Sequence, residues 1–131
     1  MLKRDFIMVQ IEELGKVIAQ IIRQRHTDAA RRNPVLIQTV HDSLKTSTAY
    51  LLDASIDEML EYLNGTDMAG LQRMEIAAKL LLEESYLYAE KQEERQLKAK
   101  AMLEYIQTHD TTFSLERMDL LKEIEQSLTG S

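Results

Sequence analysis

Residues 71–91, LQRMEIAAKLLLEESYLYAEK, constrain what this chain can fold into more than any other stretch. On a helical projection Leu71, Ala78, Leu82, Ser85 and Ala89 share one side, and Ile76, Leu80 and Leu87 lie nearly opposite. Narrow polar strips, Lys79/Glu83/Glu90 and Arg73/Glu84, separate the two. A helix that is apolar on two faces has to be covered from both directions, so the pattern predicts a central helix with the others packed around it.

The remaining segments supply that cover. Ile7, Ile11, Leu14, Ile18 and Ile21 recur at alternating spacings of four and three, widened by Val17 and Ile22, which predicts a first helix over about residues 5–24. The run is too short for a sustained coiled coil, so packing within the domain is expected. Residues 25–32, RHTDAARR, lack apolar periodicity and read as a connection. Asn33-Pro34 is a start signal: asparagine can cap free amides, and proline at the first helical position has no N–H to leave unpaired. A second helix follows with Leu36, Val40 and Leu44 inward, fraying over residues 45–48. Ser55, with Glu58 three residues on, predicts a short third helix anchored by Met59, Leu60 and Leu63 and stopped at Asn64-Gly65.

Thr66 or Asp67 is expected to start the central helix, and Gln92-Glu93-Glu94 to turn the chain after it. A fifth helix over about residues 95–108 is then expected to bury Leu97, Ala101 and Tyr105 on one side, with Ala99, Met102 and Ile106 on the other. Ser114 is the expected cap of a last helix, with Phe113 stapled onto Met118. Leu120, Leu121, Ile124 and Leu128 form its inner face, and Gly130 ends it. No stretch alternates with period two. The fold class is all-α, with about six helices in a single domain over residues 1–131: 1–32 the first helix and connection, 33–65 the second and third helices, 66–131 a helical hairpin and a capping helix.

Composition narrows the chemistry. No cysteine is present, which excludes disulfides, thiolate metal sites and cysteine nucleophiles, and suits a reducing compartment. Lys3 and Arg4 begin the chain like a signal peptide, but Asp5, Glu12, Glu13 and Lys16 interrupt the apolar run too early for a secretory core or a membrane span. A cytoplasmic protein without a membrane segment is expected. Residues 1–50 hold eight Lys/Arg against five Asp/Glu, and the remainder eight against seventeen. The acidic majority opposes non-specific binding to nucleic acid.

The segment LLLEESYLYAEKQEERQLKAKAMLEYIQTHD resembles a tetratricopeptide-type helix pair. Ser85 precedes Tyr88 by three residues, the turn is polar, and small Ala99 and Ala101 alternate with Leu97, Leu103 and Tyr105. The usual turn glycine is replaced by Gln92 or Glu93, and no second copy at the repeat period supports an array. With the opening MLKRDFIMVQIEELG and the segment AYLLDASIDEMLEYLNG, the whole chain resembles a family of small, uncharacterised bacterial all-helical proteins of tetratricopeptide-like architecture. That resemblance implies a fold, and carries no activity or catalytic residue with it. It also implies that the first helix of the pair lines a concave, peptide-holding side. Tyr86, Tyr88 and Glu90 are therefore the candidate partner-binding face, with Tyr86 directed between the two apolar faces. The alternative is that both tyrosines are core residues whose hydroxyls reach water.

Arg23, Arg25, Arg31 and Arg32 form a candidate anion-binding patch. The competing explanation is a solvated helix end, or pairing with the acidic two-thirds of the chain. No aromatic residue is interleaved to stack bases. His26 and His109 are expected at helix ends, where a cation suits the dipole, and His41-Asp42 do not share a face. Adjacent carboxylates such as Glu12-Glu13, Glu83-Glu84 and Glu93-Glu94 diverge by about 100°, form no acid–base pair alone and are expected on solvated faces. Neither a G-x-S-x-G elbow, an HExxH pair nor a phosphate-cradling glycine loop occurs. The expectation is a non-enzymatic protein-interaction module with no cofactor or metal and an unidentified protein partner. The alternatives are a nucleic-acid-associated protein using the patch spanning positions 23–32, and an enzyme whose site converges only on folding. Weak self-association through an exposed part of the first or last helix is also expected.

Overall fold

A computed structural model describes residues 2–130, with side chains from residue 9 onward. The described residues form seven α-helices, one 3-10 turn and no strand. The helices are α1 (Leu2–Gln24), α2 (Asn33–Leu44), α3 (Thr48–Asp53), α4 (Ile56–Asn64), α5 (Gly70–Leu87), α6 (Gln92–His109) and α7 (Leu115–Leu128). The all-α expectation holds, with one helix more than the sequence suggested.

α5 is the centre. Met74, Ile76, Ala77, Ala78, Leu80, Leu81 and Leu82 are all buried, so its apolar surface runs round the whole helix rather than along two faces. α1, α2, α4 and α6 pack on it, while α3 and α7 lie on α6. From α1 come Leu14, Ile18 and Ile21, as the periodicity predicts; Ile7 lies outside the described side chains. The buried apolar residues of all the helices except α7's flanks join in one core.

Several boundaries differ from the sequence reading. The connection after α1 contains a 3-10 turn over Asp28–Arg32, with Thr27 Oγ1 accepting from the Ala29 amide at 3.2 Å. Asn33 does not cap α2. It is already helical and buried, its Nδ2 donating to the Ile21 carbonyl at 3.1 Å and its Oδ1 accepting from Gln24 at 2.9 Å. It therefore satisfies a carbonyl near the end of α1 and fixes the angle between two helices. The expected fray at 45–48 is instead a junction. Lys45 adopts the left-handed conformation (φ 59°), and Ser47 Oγ caps the six-residue α3 by accepting from the Tyr50 amide. Ser55 caps α4 as predicted, accepting from the Glu58 amide at 3.1 Å.

α5 begins at Gly70, later than Thr66 or Asp67. Its first amide, that of Gly70, donates instead to Asn64 Oδ1 at the end of α4 at 3.0 Å, and Asp67 Oδ1 accepts from the Ala69 amide just before the helix. Gly70 has no room for a side chain: a Cβ there would overlap Asn64 Oδ1 and stand 2.9 Å from Leu60 Cδ1. Gly70→Ala is expected to destabilise by about 1–3 kcal/mol in urea unfolding, despite alanine's better helix propensity, because overpacking outweighs it.

α5 also ends early, at Leu87. Tyr88 is extended, Lys91 is left-handed (φ 53°), and Gln92 Nε2 reaches back to the Ser85 carbonyl. The turn is therefore residues 88–91, and Gln92-Glu93-Glu94 are the first turn of α6 rather than the bend. α6 buries Gln96, Ala99, Met102, Leu103 and Ile106. Leu97 and Ala101 face outward, contrary to expectation, because six-residue α3 is too short to cover that side of α6. Ser114 caps α7, but Phe113 is 72% exposed and staples nothing closely.

Candidate functional site

Three consecutive polar residues, Glu83, Glu84 and Ser85, are buried in the penultimate turn of this apolar helix. Adjacent helical residues diverge, so the two carboxylates enter different networks. Glu84 meets α2, α3 and α6. His41 Nε2 lies 2.9 Å from Glu84 Oε2, and His41 Nδ1 lies 3.0 Å from Thr46 Oγ1. The Thr48 hydroxyl is 2.7 and 2.9 Å from the two Glu84 oxygens and can donate to either. The Arg95 guanidinium stands 3.8 Å away, with its Nε buried and making no hydrogen bond. Ser85 donates to the Leu82 carbonyl and accepts from Gln96 at 3.2 Å, which binds α6 to the same turn.

A histidine, a carboxylate and a threonine hydroxyl in hydrogen-bond reach are the parts of a proton-transfer site. Here the histidine and the carboxylate are sealed: His41 and Glu84 are each 3% exposed, and each is bonded to protein groups, while Thr48 is half-buried. Their physical effect is to join four helices around one buried charge.

Glu83 points the other way. Arg25 pairs with it through two hydrogen bonds, Nε to Oε1 at 3.0 Å and the second from Nη2 to Oε2. The same guanidinium lies 4.3 Å above the Tyr86 ring and 3.8 Å from Glu123 on α7, and the Tyr86 hydroxyl donates to Glu123. Burial, opposed by Arg25, pushes the Glu83 carboxyl above the usual range. Burial and then Glu123 push the Tyr86 hydroxyl up as well. Tyr86, half-buried, thus bridges α5, α7 and the turn that follows α1.

The other expected site residues scatter. Tyr88 is 40% exposed in the α5–α6 turn with Arg95 over its ring at 5.2 Å, and Glu90 is exposed beside it in the chain. Arg23, Arg31 and Arg32 are exposed, but Arg25 is spent on Glu83, so the four arginines do not form one patch. His26 follows α1 in the exposed turn, and His109 ends α6, its Nδ1 2.8 Å from the Tyr105 carbonyl and its ring stacked on Tyr105.

What the sequence reading missed is on the surface. Between α3 and α6 two shallow hollows of about 520 and 320 Å³ share Leu52 and Glu94 and form one groove. Its apolar lining is Leu52, Leu97 and Ala101, with Tyr50 and Lys91 toward one end. Leu97 is 48% exposed. Lys98 stitches the walls together by donating to the Leu52 and Ala54 carbonyls at the end of α3, where a cation suits the helix dipole. Burial pulls its ammonium pKa down. The signal available in the sequence was the spacing 94/97/98/101 on one face of α6.

A second cleft of about 360 Å³ lies among α1, α2, α4 and the α4–α5 loop. Arg73 dominates it, donating to both Asp67 oxygens at 2.6 and 2.8 Å and to the Leu63 carbonyl at 2.9 Å. The Arg73 hydrogen bonds hold the Asp67 carboxyl below its usual range. A carboxyl depressed on folding contributes stability above its unfolded pKa and loses it as pH falls through the folded value. Stability measured from pH 6 downward is therefore expected to fall below about pH 4, and less steeply in Asp67→Asn. Glu83 works in the opposite sense, since its raised carboxyl gains a proton more readily when folded. The difference between wild type and Asp67→Asn isolates Asp67.

No described helix is long and apolar enough to cross a membrane. Comparison of the chain with protein families, curated proteins and solved structures finds no match.

Proposed function

We propose that this chain is a non-enzymatic protein-interaction module of the cytoplasm, a tetratricopeptide-like hairpin domain that holds an amphipathic helix of a protein partner in the α3–α6 groove. The observation that carries this reading is the uncovered apolar row Leu52, Leu97 and Ala101 between two helices. Residues 94, 97, 98 and 101 occupy one face of α6 over successive turns, the spacing that a helix-in-groove contact reads. Asp53, Lys91 and Glu94 edge the row with both charge signs, suited to a helix whose apolar stripe is flanked by polar residues. Tyr88 and Glu90, in the turn just before Lys91, extend the surface at one end. Lack of cysteine suits that compartment. An enzyme is disfavoured because His41 and Glu84, the acid–base pair that converges with Thr48, are buried and bonded to each other.

Capture from a bacterial lysate with wild type and Leu97→Glu as baits, each shown to be folded by circular dichroism, tests the reading. A protein held by wild type and lost with Leu97→Glu is the expected result. Identical captures would contradict the groove. Nucleic acid on both baits, released by salt, would favour Arg23, Arg31 and Arg32 instead.

A further inference from the structure

We propose that Asn64 is a self-modifying site, at which the folded protein converts this asparagine to aspartate and isoaspartate by attack of the Gly65 backbone nitrogen. The chain has two asparagines, and the fold treats them oppositely. Asn33 precedes Pro34, whose nitrogen carries no proton to lose, and its side chain is buried and bonded at both ends. Asn64 precedes Gly65, which is exposed and carries no Cβ to hinder approach. Gly65 sits at φ +56° and ψ −147°, a conformation side chains rarely adopt.

The electrophile is also prepared. Asn64 Oδ1 accepts from the Gly70 amide at 3.0 Å, at the amino end of α5, while Asn64 Nδ2 has no partner. As the Gly65 nitrogen adds to Asn64 Cγ and its proton goes to solvent, the side-chain oxygen gains charge. The Gly70 N–H and the positive end of the helix dipole then stabilise that oxygen, as a donor in an oxyanion hole does. The Cγ–Nδ2 bond breaks and ammonia leaves, giving a cyclic imide. Water attacking Cγ opens the imide to aspartate, and water attacking the backbone carbonyl opens it to isoaspartate. One water is consumed and one ammonia released, with no oxidant or cofactor. The Arg73 guanidinium, whose Nη1 would lie 3.7 Å from a Cβ at Gly65, favours the transient negative charge.

The two products differ in consequence. Aspartate keeps the acceptor for Gly70 and adds charge where the dipole welcomes it. Isoaspartate adds a methylene to the backbone between α4 and α5, beside Gly65, Thr66 and Asp67, which line the Arg73 cleft.

The test holds the protein at one temperature and mildly alkaline pH, folded and in concentrated urea, and follows ammonia and the position-64 peptide by mass spectrometry. Modification at Asn64 in the folded protein at least as fast as in the unfolded chain is the expected result, with the Asn33 peptide unchanged. Asn64→Gln, whose imide ring would be six-membered, should release no comparable ammonia. Slower modification in the folded protein than in urea would overturn the proposal, because the Gly70 contact would then be a protecting clamp. That comparison needs the wild type alone, so it stands even if the variant does not fold.

Discussion

Glu84→Ala is expected to destabilise the protein by about 3–5 kcal/mol, the cost of removing one partner from a buried charged network. His41 Nε2 and the Thr48 hydroxyl would lose their acceptor, and Arg95 would lose the carboxylate 3.8 Å away. His41 would stay buried, where an unpaired donor keeps its full desolvation penalty, with Thr48 and Arg95 partly buried beside it. Glu84→Gln, which keeps one oxygen and loses the charge, should cost less. Urea unfolding followed by circular dichroism checks both. With a slope of about 1–3 kcal/mol per molar, the alanine variant should lower the midpoint by on the order of 1 M or more. Equal, small shifts for both variants would mean that Glu84 is hydrated and the network open. That result would also reopen His41, Glu84 and Thr48 as a site of chemistry.

Leu81→Ala should cost about 2–5 kcal/mol, and so should Leu80→Ala and Leu82→Ala. Consecutive helical residues are about 100° apart, so these three leucines sample more than half of the circumference of α5. All three are at most 1% exposed. A helix covered on one side only would make at least one of these substitutions nearly neutral. Leu97→Ala is the contrast: half-exposed in the groove, it should change stability by no more than about 0.5 kcal/mol. A large loss there would mean that Leu97 supports the core, and would weaken the case for a free docking surface.

The sequence was most readable where one helix settles its own fate. The stripe of α1 from Leu14 to Ile21, the Ser55 and Ser114 caps, and the proline at the start of α2 act within a few residues, and the structure keeps them. It was least readable where distant residues decide. α3 is six residues, too few for a periodic signal, and follows a run of Thr and Ser that reads as fraying. α5 stops at Leu87 although residues 88–91 are helix-compatible, because Gln92 takes the Ser85 carbonyl. Leu97 and Ala101 are open because α3, unrecognised, is short.

The site residues follow the same rule. Arg25 and Glu83 are 58 positions apart, and His41 and Glu84 are 43 apart, so neither pairing has a local signature. What was visible was the anomaly of Glu83-Glu84-Ser85 inside the most apolar helix. Buried carboxylates require partners, and arginine and histidine elsewhere in the chain were the available ones. Tyr86 was placed between two apolar faces from its helical direction, and it does lie at such a boundary. Its neighbours there, Arg25 and Glu123, tie it to α7 and to the turn after α1.

Native-state amide hydrogen exchange tests the central placement of α5 most directly. Its amides should exchange only through global opening, at the free energy that urea unfolding returns, while those of α3 and α7 open at lower free energy. Exchange of α5 at a lower free energy than α1 or α6 would contradict a fold built around it.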